Sequence, residues 1–105
     1  MYSVYVTCSD HPEAERIASL AIEKRMAACA NIFQAHRSLY WWDGAVQNDD
    51  EVAMILKTSG ERYKDLETLI KDNHSYDVPC IVAMKAEEGN PAFLEWIEQS
   101  TKDVV

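Results

Sequence analysis

The sequence predicts an α+β domain: a ferredoxin-like β-α-β-β-α-β sandwich with a long β-hairpin and an added C-terminal helix. Three observations carry this reading. The hydrophobic pattern switches between strand and helix periods in that order along the chain. The Asp43-Gly44 pair separates two long arms and is the strongest hairpin signal present, because a type I′ turn needs φ > 0 at both central residues. The 105 residues contain no linker, no low-complexity tract and no internal repeat, so one domain spans 1–105.

Residues 2–8 (YSVYVTC) are β-branched and aromatic, and read as the first strand. Asp10 and Glu13 then have the spacing of a capping box, with Pro12 in the first turn, where its missing N–H does no harm. Ala14, Ile17, Ala18, Ala21 and Met26 follow at helical spacing and predict a helix over 11–27, its small residues letting it lie close to a sheet. Residues 29–42 and 45–58 are the hairpin arms, and arms this long exceed the usual strand of about 5–6 residues. A domain of this size cannot cover both faces of their far end, so a bulge bends them or another subunit covers them. Trp41 and Trp42, adjacent on one strand, point to opposite faces, and subunit packing is the role expected of both.

Ser59-Gly60 opens a helix over 60–73, with Tyr63, Leu66, Leu69 and Ile70 as its apolar face and Asn73 as its C-cap. Residues 80–86 (CIVAMKA) make a fourth strand, apolar enough to lie inside the sheet. Asn90 and Pro91 start a last helix over 91–101, with Phe93, Leu94 and Ile97 facing inward. Both main helices fall on one sheet face, and one short extra helix cannot cover the other, so self-association is expected.

Charge and motifs exclude several functions. Eighteen acidic residues against ten basic ones give a net charge of −8, which repels phosphate backbones and anionic membrane surfaces. No stretch reaches the ~18 apolar residues of a membrane span, and the N-terminus lacks the pattern of a secretory signal. Cys8, Cys29 and Cys80 are odd in number and widely spaced, which fits reduced thiols in the cytoplasm rather than a disulfide framework. No nucleophile elbow, zinc-protease motif, phosphate loop or dinucleotide fingerprint occurs, so the chain reads as a non-enzyme.

Six segments in order resemble the CutA family of divalent-cation tolerance proteins: VTCSD, AACANI, SLYWWDG, EVAMILKT, HSYDVP and GNPAFLEWI. The resemblance covers nearly the whole chain. It implies a PII-like homotrimer in which long hairpins wrap neighbouring subunits, and a role in tolerance to copper or another divalent cation. It also implies metal ligation by the cysteine after the first strand, here Cys8, and by the histidine of the HxY segment, here His74. Three positions depart from the family pattern: Asn73 where a second histidine occurs, Ser75 where proline is usual, and Cys80 where glutamate is common.

Thiolate suits Cu(I) and Zn(II), and imidazole suits both metals, so Cys8 and His74 are the candidate ligands. His11 forms a C-x-x-H spacing with Cys8 but reads more simply as an early helix residue. Cys29 and Cys80 read as sheet-core residues. The resemblance places Lys57, Tyr76 and Cys80 near an inter-subunit cleft, where a small metabolite or partner peptide is the rival ligand. The run Asn48-Asp49-Asp50-Glu51 lacks the spacing of a calcium loop and reads as a solvated part of the hairpin.

Overall fold

The computed structural model describes residues 1–102. Its elements are β1 (Tyr2–Cys8), α1 (His11–Glu23), β2 (Cys29–Trp42), β3 (Ala45–Thr58), α2 (Tyr63–Asn73), β4 (Ile81–Lys85) and α3 (Pro91–Ser100). The four strands form one antiparallel sheet in the order β2-β3-β1-β4, as a ferredoxin-like sandwich requires.

Strand alternation decides what the two helices cover. Val4, Val6 and Cys8 of β1 and Val52, Met54 and Leu56 of β3 are 0–2% exposed on one sheet face. Ala14, Ile17, Ala18 and Ala21 of α1 and Leu66, Leu69 and Ile70 of α2 complete that core. Each large side chain buried there contributes roughly 1.5–3 kcal/mol. The opposite face is open. Phe33, Val82 and Met84 are 46%, 52% and 51% exposed.

The hairpin closes at Asp43 (φ 53°) and Gly44 (φ 75°), the two positive values a type I′ turn needs. A bulge interrupts the pairing between Ile32 and Ala35, so that Phe33 and Gln34 stand opposite Ala53 alone. β1 ends at the Cys8–Val52 pair, so the hairpin beyond it has no third strand and gives the chain its 46 Å long axis. Trp41 and Trp42 lie bare on this arm, 76% and 56% exposed.

Four boundaries or placements differ from the sequence expectation. α1 stops at Glu23, because Arg25 turns left-handed (φ 60°) and a Schellman closure forms: Met26 N–H donates to Ala21 O and Arg25 N–H to Ile22 O. α2 begins at Tyr63, after a turn in which Arg62 N–H donates to Ser59 O. β4 is an edge strand rather than an interior one; Ile81 and Ala83 pack on the core while Val82 and Met84 on its other face are exposed. α3 buries only Ile97, while Phe93 (39%) and Trp96 (47%) stay exposed.

Candidate functional site

The C-terminal end of β1, the first turn of α1 and the loop after α2 meet at one place. Cys8, the last residue of β1, is fully buried. Asp10 caps α1 by accepting from Glu13 N–H at 2.9 Å. The Glu13 carboxylate reaches back to Ser9 rather than to the cap residue, accepting from its N–H at 3.0 Å and its hydroxyl at 3.2 Å. The second oxygen accepts from Ser75 N–H at 2.9 Å, which ties the loop after α2 to the loop after β1.

His74 is the first residue beyond α2, and its imidazole is completely buried. Nε2 lies 2.8 Å from Thr7 O, and Nδ1 lies 3.1 Å from Tyr76 N. A carbonyl only accepts and an amide only donates, so Nε2 carries the hydrogen and Nδ1 offers its lone pair. Nδ1 is 3.9 Å from Glu13 Oε1, and the ring stands 4.8 Å from the Tyr76 ring in a tilted contact. The Tyr76 hydroxyl donates to Glu51 Oε2 at 2.9 Å.

The surroundings set the protonation. Burial, then the negative charges of Glu13, Asp10 and Glu51, push the Cys8 thiol up to about 12, so it is protonated at neutral pH. Burial also works to raise the Glu13 carboxyl, but its hydrogen bonds from Ser9 and Ser75 prevail and hold it below the usual carboxylate range. Burial and the bond to Glu51 push the Tyr76 hydroxyl well above its ordinary value, so it remains a donor.

Cys8 Sγ, a Glu13 oxygen and a His74 nitrogen lie within 4.8 Å of one another. Metal–sulfur and metal–nitrogen bonds of about 2.3 and 2.0 Å span at most about 4.3 Å, so ligand atoms gathered this closely reach one ion by small side-chain shifts. Binding would also take the thiol proton and displace Tyr76 N–H from Nδ1. The donor set therefore fits a thiophilic cation, at the cost of one proton and one hydrogen bond.

The structure joins the two sequence-predicted ligands, Cys8 and His74, and adds Glu13. Tyr76 and Cys80 line a cleft of about 500 Å³ together with Trp42 and Glu51. Cys80 is exposed and precedes β4, which overturns its sheet-core reading; Cys29 is half-buried. Lys57 lies at the other end of β3, paired with Cys29 across the hairpin and hydrogen-bonded to Asn31, so only a second copy could bring it to this cleft. His11 is exposed and outside the cluster. Sequence reasoning missed Glu13, taken for a cap alone, and Glu51, grouped with a solvated run. Glu51 is only 9% exposed. The available signal was its place at the head of EVAMILKT, the segment that enters the core.

A one-sheet ferredoxin-like fold with a thiol, a carboxylate and an imidazole converging at the end of β1 defines a small α+β protein with a candidate soft-cation centre. The chain belongs to the family of the CutA1 divalent ion tolerance protein, whose model matches residues 2–100. It is 41% identical over 99 residues to the divalent-cation tolerance protein CutA of Archaeoglobus fulgidus, covering 94% of this chain and 96% of that one. The CutA1 crystal structure from Pyrococcus horikoshii matches with a TM-score of 0.92 at 39% identity, covering 98% of this chain and all of that one (100%). The Archaeoglobus fulgidus structure, described as the periplasmic divalent cation tolerance protein CutA, matches with a TM-score of 0.93 at 41% identity, covering 97% and 100%. The chain is thus a ferredoxin-like member of a divalent-cation tolerance family.

Proposed function

We propose that this protein serves divalent-cation tolerance by binding copper, or another thiophilic cation, directly at Cys8 and His74 with Glu13 beside them. The single observation that supports this is the approach of their three ligand atoms to within 4.8 Å. The protein acts as a binding protein rather than an enzyme. The Cys8 thiol is held protonated, and both His74 nitrogens and both Glu13 oxygens are already engaged in hydrogen bonds, which leaves no free base beside Sγ among the described residues.

The working form is a homotrimer, supported by the open apolar face at Phe33, Val82 and Met84 and by bare Trp41 and Trp42 on the long arm. The free thiols Cys8, Cys29 and Cys80 support a cytoplasmic, reducing location, although one relative is described as periplasmic. Competition for Cu(I) against a chromogenic chelator tests the binding. The wild-type protein takes Cu(I) from the chelator, uptake weakens as pH falls because the thiol must lose its proton, and Cys8→Ser abolishes it. Equal uptake by Cys8→Ser would remove the assignment.

A further inference from the structure

The segment just after α2 is held by hydrogen bonds, and one of them occupies the atom a cation would need. His74 Nε2–H donates to Thr7 O at 2.8 Å, which fixes the tautomer and leaves Nδ1 as the ligand atom, 3.9 Å from Glu13 Oε1. Nδ1 already accepts from Tyr76 N–H at 3.1 Å. A neutral imidazole nitrogen has one lone pair, so Nδ1 cannot keep that bond and ligate as well. Ser75 N–H rests instead on Glu13 Oε2, and a carboxylate has lone pairs to spare. The Tyr76 side chain is tied twice more. Its ring stands 4.8 Å from the His74 ring, and its hydroxyl donates to Glu51 Oε2 at 2.9 Å. Glu51 lies on β3, opposite His36 in the hairpin.

We propose that Tyr76 is a latch that opposes cation binding: occupation of His74 Nδ1 releases the Tyr76 amide, residue 76 pivots about Ser75, and the Tyr76 hydroxyl leaves Glu51. This rests on the cation centre at Cys8, His74 and Glu13 and deepens it. An amide that loses its acceptor in partly buried surroundings must turn to find another partner. Ser75 is the pivot, because its own N–H stays on Glu13. A bond that exists only in the empty state lowers the affinity of the occupied one, so Tyr76 sets the strength of binding without touching the cation. Tyr76 is therefore a positioning residue. Its far anchor, Glu51, belongs to the hairpin that meets a neighbour through Trp41 and Trp42 in the proposed homotrimer, so occupancy is linked to the base of that arm. Every bond in this relay lies within one subunit, and none depends on what the neighbour brings to the cleft.

The test pairs two measurements on the reduced full-length protein. Cu(I) competition against a chromogenic chelator compares the wild type with Tyr76→Phe, and NMR follows hydrogen exchange of single amides with and without Cu(I). Tyr76→Phe should bind Cu(I) about tenfold more tightly, because the bond to Glu51 no longer opposes occupation. In the wild type, Cu(I) should speed exchange of the Tyr76 amide at least about tenfold while the Ser75 amide stays protected. A tyrosine that only props His74 in place gives the opposite sign. Weaker or unchanged binding in Tyr76→Phe overturns the proposal, as does a Tyr76 amide equally protected with Cu(I) bound. The exchange measurement needs no variant and decides even where Tyr76→Phe fails to fold. A wild-type protein that takes up no Cu(I) removes the cation centre and the latch together, whereas uptake with an unmoved Tyr76 amide removes the latch alone.

Discussion

Three hydrogen bonds converge on the Glu13 carboxylate, from Ser9 N–H, the Ser9 hydroxyl and Ser75 N–H. Glu13→Ala leaves these donors without their acceptor and should cost ~3 kcal/mol in urea denaturation, with Glu13→Gln costing less. The Glu13 carboxyl is held below its ordinary 4.5, so its stabilisation is present above that pH and is lost as pH falls through the lowered value. Glu13→Gln should therefore flatten the acid limb of the stability profile. Cys8 acts at the other end. Its thiol ionises near 9 when unfolded and near 12 when folded, so stability is full below 9 and declines between those values, by roughly 1.4 kcal/mol per pH unit. Cys8→Ala should remove that decline, as thermal melts from about one pH unit below the onset to about two above it would show. Of the site residues, Cys8 and His74 were named through the family resemblance, since a cysteine at a strand end by itself reads as a small structural residue. Glu13 was not, since its cap spacing explained it fully and its contact with Ser75 spans 62 residues.

At the scale of elements, the hairpin is the feature most plainly written in the sequence, and its turn chemistry carries a direct prediction. Gly44 sits at φ 75° with nothing within 4 Å of where a Cβ would lie, so Gly44→Ala meets a backbone penalty and no steric one. It should cost about 1 kcal/mol in equilibrium unfolding. The end of α1 was illegible for a complementary reason. Glycine usually marks a left-handed C′ residue, but Arg25 occupies that position, and Met26 and Ala27 continue the apolar pattern while already outside the helix. The position of β4 was also hidden. A continuous apolar strand reads as interior, yet β4 is an edge whose Val82 and Met84 face open space.

For the whole molecule, that misreading and the bare hairpin point the same way. The apolar sheet face that this chain leaves uncovered is the surface that the proposed homotrimer would cover with another copy. If that proposal holds, a charge placed there, as in Met84→Glu, converts the proposed trimer to monomers in sedimentation analysis while far-UV circular dichroism stays unchanged. The most direct test of the central account is native mass spectrometry of the reduced protein titrated with Cu(I) and with Zn(II). The account predicts a trimer that takes up one Cu(I) per subunit and loses that uptake with Cys8→Ser. A trimer that stays metal-free at stoichiometric excess, or a Cys8→Ser trimer that loads equally, would contradict it.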